Sequence, residues 1–372
     1  MINCEEFCNK LLQKFDFYTG VPDSLLKSLC AYITANVPES DHIIAANEGG
    51  AVALASGHYL ATGKPAVVYM QNSGIGNALN PLVSLNDPLV YGISALLLVG
   101  WRGEPGFKDE PQHAKQGLIT TDLFDTMGIR WRILPDTLEE ALTALDEAED
   151  YMREHSAPYA LVVRKDSFSK YSVESKSTES SELSREEAIK AIVQKLPDAF
   201  IVSTTGMISR ELFETREQNG QSHDTDFLTV GSMGHCSQIA LGVALAKKDK
   251  HIVCFDGDGA ALMHMGAMAI IAERSPENFI HIVFNNSAHD SVGGQPTIAG
   301  KINLSGIAGT MGYKHVLKIE GHSGLENIDY SLKQRGPVFI EVMVRKGARA
   351  DLGRPTESPA QCKTAFCRKL GQ

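Results

Sequence analysis

The stretch that decides the fold is Ile252–Asn286, with the sequence IVCFDGDGAALMHMGAMAIIAERSPENFIHIVFNN. The short apolar runs at 252–255 and 279–284 predict two buried parallel strands. The residues between them predict a crossover helix. Because the carboxyl ends of parallel strands meet at one edge of a sheet, we expect Asp258 and Asn286 to face one crevice there.

Oxygen-bearing side chains follow both predicted strands. Asp258 offers a carboxylate and Asn286 an amide oxygen, which are ligands that Mg²⁺ accepts together with phosphate. Gly257 and Gly259 let the backbone turn sharply and approach a ligand. The predicted helix start at Ala260 offers free N–H groups to an anion. Each feature alone is a common turn or loop end, but together they predict a site for a cation that carries a diphosphate.

The size of the chain predicts two domains. Its 372 residues exceed the roughly 250–300 beyond which single cores stop growing. Apolar runs alternate with helical patterns, which predicts an α/β protein with parallel sheets. We place the first domain at 1–168, a Ser-rich linker at 169–184 and the second domain, with a C-terminal tail, at 185–372.

Composition argues against several classes of function. The net charge of −10 disfavours a nucleic-acid surface, and the sequence contains no run of 18 apolar residues that would predict a membrane span. The N-terminal MINCEEFCNK lacks a basic start and an apolar core, so we expect no signal peptide. The seven cysteines form no CxxC motif and are predicted to be reduced thiols. These features predict a cytoplasmic protein.

Two acidic residues of the first half are candidate site residues. Glu48 follows a predicted strand at 43–46 and begins an Ala- and Gly-rich helix that extends to Thr62. A Glu in the first turn also complements the helix dipole. Asp23 lies with Ser24 in a turn, where either side chain is predicted to cap the next helix.

A polar loop, Gly100–Gly117, leaves the end of a strongly apolar strand. Such loops build the sites of α/β proteins. This one carries Arg102, Lys108, His113 and Lys115. Four cationic or potentially cationic groups suggest a strongly anionic substrate, although a solvated loop explains any one of them.

The motifs together resemble the thiamine-diphosphate-dependent decarboxylases. The 25 residues 260–284 separate GDG from the Asn pair, a spacing similar to the thiamine-diphosphate fingerprint. Longer segments, covering nearly the whole chain, resemble the phosphonopyruvate decarboxylase family. They are GVPDSLL (20–26), NEGGAVALASGHYLATGK (47–64), GWRGEPGFKDEPQHAKQG (100–117), NNSAHDSVGGQPT (285–297) and GARADLGRPT (347–356).

The resemblance implies two doubly wound domains, one pyrimidine-binding and one diphosphate-binding, with no middle domain. It implies thiamine diphosphate and Mg²⁺ as cofactors and decarboxylation of 3-phosphonopyruvate to phosphonoacetaldehyde and CO₂, in phosphonate biosynthesis. Sulfopyruvate decarboxylation is the first alternative, and carboligation as in acetolactate synthase is the second. A non-catalytic thiamine- or nucleotide-binding regulator is a third. A homodimer or larger assembly is implied, since Glu48 and the diphosphate site come from different subunits in the family.

The resemblance also implies roles for individual residues. The implied Mg²⁺ ligands are the side chains of Asp258 and Asn286 and the carbonyl of Ala288. The implied cofactor contacts are Glu48, Thr205, Gly206, Gly231, Met233, Gly257, Asp258, Gly259, Ala260, Asn286 and Ser291. The implied catalytic residues are Glu48, His113, His289 and Asp23, and the implied substrate contacts are Ser24, Ser73, Arg102, Lys108 and Lys115.

Some of these roles have alternatives. Glu48 is implied to hydrogen-bond the pyrimidine nitrogen of the cofactor and to favour its imino tautomer. Met233 is implied to support the bent cofactor, which ordinary core packing would equally explain. Simple pyruvate decarboxylases carry a Glu near the position of Val292, and its absence leaves His289 or Asp290 as alternatives for protonating the product.

Overall fold

The chain divides into two units in the computed structural model, which describes residues 1–171, 181–326 and 328–371. The units are Met1–Ser175 and Lys176–Gln372. The predicted linker, 169–184, lies largely outside the described residues, so its bounds stay a prediction.

The first unit is built on a six-stranded parallel sheet of order β2-β1-β3-β4-β6-β5. Its elements in chain order are α1 (Cys4–Lys14), β1 (Tyr18–Gly20), α2 (Lys27–Asn36), β2 (His42–Ile44), α3 (Glu48–Thr62), β3 (Ala66–Gln71), α4 (Ile75–Pro81), β4 (Ala95–Gly100), α5 (Pro111–Met127), β5 (Arg130–Ile133), α6 (Leu138–His155) and β6 (Tyr159–Val163).

The second unit is built on another six-stranded parallel sheet, of order β13-β14-β10-β9-β7-β8. Its elements are α7 (Arg185–Lys195), β7 (Phe200–Ser203), α8 (Met207–Gln218), β8 (Asp226–Leu228), α9 (Cys236–Ala246), β9 (Ile252–Gly257), α10 (Asp258–Met263), α11 (Gly266–Arg274), β10 (Phe279–Asn285), β11 (Ala288–His289), β12 (Gln295–Pro296), α12 (Leu304–Met311), β13 (His315–Glu320), α13 (Gly321–Glu326), α14 (Ile328–Leu332), β14 (Val338–Met343) and α15 (Pro359–Lys369).

Each sheet is covered by a core on both faces. In β3, Tyr69 packs in one apolar cluster while Val68 and Met70 pack in the other, as the alternation of side chains along a strand requires. In β9, Phe255 and Cys254 divide in the same way. Sheets buried on both faces explain the continuous apolar runs of the sequence. The predicted α/β class with two parallel sheets is confirmed.

Neighbouring strands bring the two predicted ligand segments to one edge. Strands β9 and β10 are parallel, and Gly257 pairs with Phe284 in their register. Asp258 therefore leaves one strand beside the point where Asn285 and Asn286 leave the other. Among the described residues, no helix is both long and apolar enough to cross a bilayer. All seven cysteines are free thiols.

Four details of the prediction were wrong. The helix predicted at 260–273 begins at Asp258 and is interrupted after Met263, because His264 takes a non-helical conformation. The ring centroids of His264 and His235 are 4.5 Å apart. The helix predicted near Asn77 begins at Ile75 and follows a 3₁₀ turn. The other two errors concern the helices after the Asp23 turn and after the polar loop.

Helix α2 begins at Lys27 without a side-chain cap, so neither Asp23 nor Ser24 caps it. The polar loop ends earlier than predicted, because α5 begins at Pro111. Pro is favoured at the first helical position, since its missing N–H has no partner to lose there. His113 and Lys115 consequently lie on a helix and not in the loop.

Candidate active site

Asp258 is the buried acid at the start of α10. Its Oδ2 accepts a short hydrogen bond from Thr297 Oγ1. Burial raises the pKa of Asp258 to about 6, against the lowering effect of the Thr297 hydrogen bond. A carboxylate held in such a place is stabilised by a cation, because desolvation penalises its unpaired charge.

The two residues of the Asn pair at the end of β10 have different partners, one in the core and one in the site. Asn285 Nδ2 donates to Glu341 Oε1 at 2.8 Å, and Asn285 Oδ1 accepts from Ser287 N at 3.0 Å. Asn286 Oδ1 accepts from Ala288 N at 3.0 Å, and both residues are buried. Asn285 therefore anchors the loop, while the Asn286 amide faces the turn that carries the Ala288 carbonyl.

A second corner of this edge is formed by residues after β7 and β10. Gly206 has φ +96° and precedes α8, which begins at Met207. A Cβ built on Gly206 would lie 3.7 Å from Ser291 Oγ, so these two predicted cofactor residues are neighbours. Thr205 Oγ1 donates to Val230 O at 2.8 Å, which ties this turn to the segment before Gly231.

Met233 and His289 approach the GDG turn from two sides. A Cβ built on Gly259 would lie 3.5 Å from Met233 Cε and 2.9 Å from His289 Cε1. Any larger residue at 259 would displace the imidazole. Burial lowers the pKa of His289 to about 4, so the ring is neutral at pH 7. The structure thus brings together the predicted residues of the second unit at one edge of the sheet.

Glu48 is the buried acid of the first unit. It opens α3 after Asn47, whose side chain accepts from Gly50 N at 2.8 Å. Glu48 Oε2 accepts from Asn77 Nδ2 at 2.7 Å. A Cβ on Gly74 would lie 2.5 Å from Glu48 Oε1, so the carboxylate packs directly on that backbone.

Asp23 belongs to a second buried acidic group of the first unit. Its carboxylate is inaccessible to solvent and accepts from Leu25 N at 3.0 Å and from Gln71 Nε2 at 2.7 Å. Burial raises the pKa of Asp23. Ser73 Oγ donates to Gln71 Oε1 at 2.7 Å, which extends the chain of hydrogen bonds to a predicted substrate residue.

Arg102 already has an acidic partner within its own loop. Its Nε donates to Asp109 Oδ2 at 2.8 Å, its Nη2 donates to Asp109 Oδ1, and its Nη1 donates to Ser24 Oγ at 2.8 Å. The Asp109 hydrogen bonds raise the pKa of Arg102. The guanidinium is therefore oriented by Asp109 and presents one edge to Ser24.

His113 lies beneath this loop on α5. Burial, and then the nearby Arg102 charge, lower the pKa of His113 to about 4. Its Nδ1 is buried and has no hydrogen-bond partner within the described ranges. An orphaned buried imidazole nitrogen is costly unless a ligand satisfies it. Lys108 and Lys115 are exposed, so the structure does not bring them into this group.

Several residues of these groups were missed from the sequence. Thr297 is brought to Asp258 by the short antiparallel pair β11–β12. The sequence signal for the turn between these two strands is Gly293-Gly294. Asp109 was missed because the prediction for its loop rested on the cationic side chains alone. Asn77 could have been found as the polar residue after the Gly-rich turn at 74–76.

The residues of the second unit fit a magnesium-bound diphosphate. All the candidate ligands are oxygen atoms, as Mg²⁺ requires, and the Asp258 carboxylate is buried without a cationic partner in the described part of the chain. A separate buried group, Cys254, Asp256 and His281, has its ligand atoms within 4.8 Å of one another. It is closed by a hydrogen bond between Tyr313 and His281 and by one from Gly257 N to Asp256.

Comparisons with known proteins agree with both halves of this description. Residues 7–125 match the thiamine pyrophosphate enzyme, N-terminal TPP binding domain, and residues 203–342 match the C-terminal TPP binding domain. Phosphonopyruvate decarboxylase of Streptomyces viridochromogenes is 34% identical over 93% of this chain and 89% of its own length.

Two further relatives follow. Phosphonopyruvate decarboxylase of Streptomyces hygroscopicus is 33% identical over 93% of this chain and 88% of its own length. Sulfopyruvate decarboxylase of Methanosarcina acetivorans is 29% identical over 93% of this chain and 92% of its own length. The chain therefore belongs to the family of thiamine-diphosphate-dependent decarboxylases that contains the phosphonopyruvate decarboxylases.

Proposed function

We propose that the protein decarboxylates 3-phosphonopyruvate to phosphonoacetaldehyde and CO₂, in phosphonate biosynthesis. The observation that carries this proposal is the 34% identity with a phosphonopyruvate decarboxylase over 93% of the chain. The half-buried arginine beside Ser24 supplies donors that suit a phosphonate, and the orphaned nitrogen of His113 would donate to it in the tautomer that carries the proton there.

The second unit is proposed to hold thiamine diphosphate and Mg²⁺. Asp258, the Asn286 side chain and the Ala288 carbonyl would hold the metal ion, and Thr205, Gly206 and Ser291 would meet the diphosphate. The backbone of Gly257, Gly259 and Ala260 would approach the phosphates, and Gly231 and Met233 would support the rings. When bound, this cofactor supplies an acceptor for the electron pair that CO₂ leaves behind.

The first unit is proposed to serve the proton transfers and the substrate. Glu48 would hold a proton at the pyrimidine nitrogen of the cofactor. The buried Asp23 has a raised pKa, which suits a group that carries a proton near neutral pH. His113 of this unit and His289 of the second unit are neutral at pH 7, so each can donate a hydrogen bond to substrate without adding charge. Ser73 would help to orient the Asp23 carboxyl group through Gln71, which bonds both side chains.

The phosphonate is proposed to lie against Arg102 and Ser24. Arg102 is held by Asp109, so its remaining edge is oriented before substrate arrives. Lys108 and Lys115 are exposed and are proposed to contribute long-range attraction for an anion. This arrangement favours a doubly charged substituent at the far end of a small 2-oxo acid.

The decisive assay measures aldehyde and CO₂ released from 3-phosphonopyruvate, 3-sulfopyruvate and pyruvate, with thiamine diphosphate and Mg²⁺ supplied. Preference for phosphonopyruvate supports the proposal. Preference for sulfopyruvate would assign the runner-up activity, which the 29% identity with a sulfopyruvate decarboxylase favours next. Acetolactate formed from pyruvate, without aldehyde release, would indicate a carboligase.

Arg102→Lys is expected to weaken use of phosphonopyruvate selectively. Lysine keeps the positive charge but cannot bond Asp109 with two parallel N–H groups and Ser24 with a third, so the oriented edge is lost. We expect the KM for phosphonopyruvate to rise about 10–100-fold, the equivalent of one or two charge-assisted hydrogen bonds. The KM for pyruvate should change little, because pyruvate lacks the phosphonate.

The matched control is Arg164→Lys. Arg164 pairs with Glu104 of the same loop at 2.8 Å, so this change also loosens the loop but spares the proposed phosphonate contact. Equal rises in KM for both variants, or for both substrates, would contradict the assignment of Arg102.

An oligomer is proposed because the helices that carry Glu48 and its partner Asn77 expose large apolar side chains. Leu54 and Leu60 of α3 and Leu79 of α4 are exposed, and Leu89 beyond them is 96% exposed. Apolar patches of this kind mark protein–protein contacts. A second copy of the chain, at least in a homodimer, would cover these side chains and complete each site with a diphosphate-binding unit. No membrane or nucleic-acid partner is proposed, and the free thiols suit the cytoplasm.

Specific activity is expected to fall when the protein is diluted below its dimer dissociation constant. The reason is that a separated protomer would lack one half of each site. Activity and mass are read at each dilution by turnover and by light scattering. Full activity from a species with the mass of a single chain would contradict the proposed assembly.

A further inference from the structure

The loop after β10 contains a carboxylate that serves the predicted metal ligand next to it. Asp290 Oδ2 accepts from Asn286 Nδ2 at 2.6 Å, from Gly347 N at 3.0 Å and from Arg185 Nη1 at 3.1 Å. The Asp290 side chain is only 11% exposed. We propose that Asp290 is a positioning residue that fixes the Asn286 amide for the metal ion, and that Arg185 holds Asp290 in place. This inference rests on the proposed function.

The chemistry of a carboxylate explains why Asp290 sets the direction of the amide. An ionised carboxylate only accepts hydrogen bonds, so it can face only the NH₂ end of Asn286. The amide oxygen is thereby turned the other way, where it accepts from Ala288 N. A carbonyl oxygen has two lone pairs, and the Ala288 bond uses one of them. The other is available to a cation, without a competing rotamer in which nitrogen would face the metal.

Arg185 connects Asp290 to the rest of the site. Its Nε and Nη2 donate to Glu211 at 2.7 and 3.0 Å, and both side chains of this pair are buried. Glu211 lies on α8, the helix that follows Gly206 at the proposed diphosphate corner. One guanidinium therefore ties the metal loop to the helix at that corner, so both cofactor contacts share one rigid support. Outer groups of this kind tune metal affinity.

The same bonds argue against Asp290 as the group that protonates the product. Its Oδ2 receives three donors, one of them a buried arginine. An oxygen that accepts three hydrogen bonds is committed as an acceptor and is poorly placed to deliver a proton. Of the two alternatives raised from the sequence, Asp290 is therefore assigned to positioning and not to proton transfer.

The test compares Asp290→Ala and Asp290→Asn with the wild-type chain. Binding of Mn²⁺ in the presence of thiamine diphosphate is measured by electron paramagnetic resonance, and Mg²⁺ half-saturation is measured by turnover. We expect Asp290→Ala to weaken metal binding about 10–100-fold. Asp290→Asn keeps an acceptor oxygen and should restore much of that loss. At saturating Mg²⁺, kcat should return to near the wild-type value in both variants.

The matched control is Asp226→Asn in another buried ion pair of the second unit. Asp226 bonds Arg216 at 2.9 Å through both carboxylate oxygens, away from the Asn pair. This change should lower the unfolding temperature but leave Mn²⁺ affinity unchanged. Metal affinity at the wild-type level in Asp290→Ala would overturn this inference, and so would a loss of metal affinity in Asp226→Asn equal to that in Asp290→Ala. Neither result would contradict the proposed function. A wild-type chain that binds neither thiamine diphosphate nor Mn²⁺ would overturn the proposed function and the inference with it.

Discussion

Glu48→Gln is expected to lower kcat by about 10²–10⁴-fold, the usual contribution of a positioned acid–base group. Glutamine has the same shape and can still accept from Asn77 Nδ2, so the buried site should keep its packing against Gly74. What it cannot do is exchange a proton with the pyrimidine nitrogen. Thiamine diphosphate and Mg²⁺ should therefore bind with nearly wild-type affinity, as measured by calorimetry, while turnover is lost.

The control for this variant is Glu139→Gln, in the first turn of α6 in the same unit. It removes an acid that complements a helix dipole, which is worth only about 0.3–1 kcal/mol of stability. It should not alter turnover. Retained activity in Glu48→Gln would contradict the proton role of Glu48. Loss of cofactor binding together with turnover would indicate a purely structural carboxylate.

The part of the fold that was predicted from the sequence is the part buried on both faces. Strands β9 and β10 are continuous apolar runs, because each lies in the middle of a sheet with a core above and below. Strand β13 was missed. It lies at the edge of its sheet, where only Ile319 of the strand is buried, and the sequence HVLKIE carries no clear period. Strand β1 spans only three residues, which is too short for a pattern.

The candidate ligands could be placed because both follow neighbouring strands. Asp258 and Asn286 needed only the rule that parallel strands end at one edge. Thr297 could not be placed in this way, because it lies 39 residues from Asp258 and returns through a hairpin whose direction no local pattern sets. Local patterns give the elements, whereas such side-chain partners depend on tertiary packing.

The polar loop shows a different limit. Its cations were read as a group aimed at an anion, but Arg102 already pairs with Asp109 and only Lys108 and Lys115 are exposed. The sequence shows that Asp109 is an acidic residue of this loop. It could not show whether Asp109 or Glu110 pairs with the guanidinium of Arg102, since both acids immediately precede Pro111. Which of two adjacent acids turns inward is decided by the backbone of the loop.

Asp258→Asn is expected to make the apo form more stable than the apo wild type at pH 8 and to remove the stabilisation by thiamine diphosphate and Mg²⁺. In the apo form, burial raises the pKa of Asp258 to about 6, so the folded chain pays for an ionised carboxylate at pH 8. A shift of this size corresponds to about 3 kcal/mol. Asparagine carries no charge and can still accept from Thr297 Oγ1. The apo variant should therefore unfold at a higher temperature than the apo wild type at pH 8.

The sign of the pH dependence follows from the raised pKa. The apo wild type keeps this stability while Asp258 is protonated, below its ordinary pKa of 3.8, and loses it as the pH rises through about 6. The variant should lack that decline. Adding thiamine diphosphate and Mg²⁺ at about 100 times the dissociation constant should stabilise the wild type by about 2.7 kcal/mol. The variant should gain almost nothing, because its amide cannot replace an anionic ligand.

Scanning calorimetry at pH 5 and pH 8, with and without thiamine diphosphate and Mg²⁺, separates these effects. The control is Asp256→Asn, two residues upstream, which keeps an acceptor for Gly257 N and leaves Asp258 in place. It should retain the stabilisation by cofactor. If Asp258→Asn also retains it, Asp258 is not a metal ligand. If the apo variant is less stable than the apo wild type at pH 8, the carboxylate serves the fold rather than the cofactor, because a residue kept for its ligand costs stability until that ligand binds.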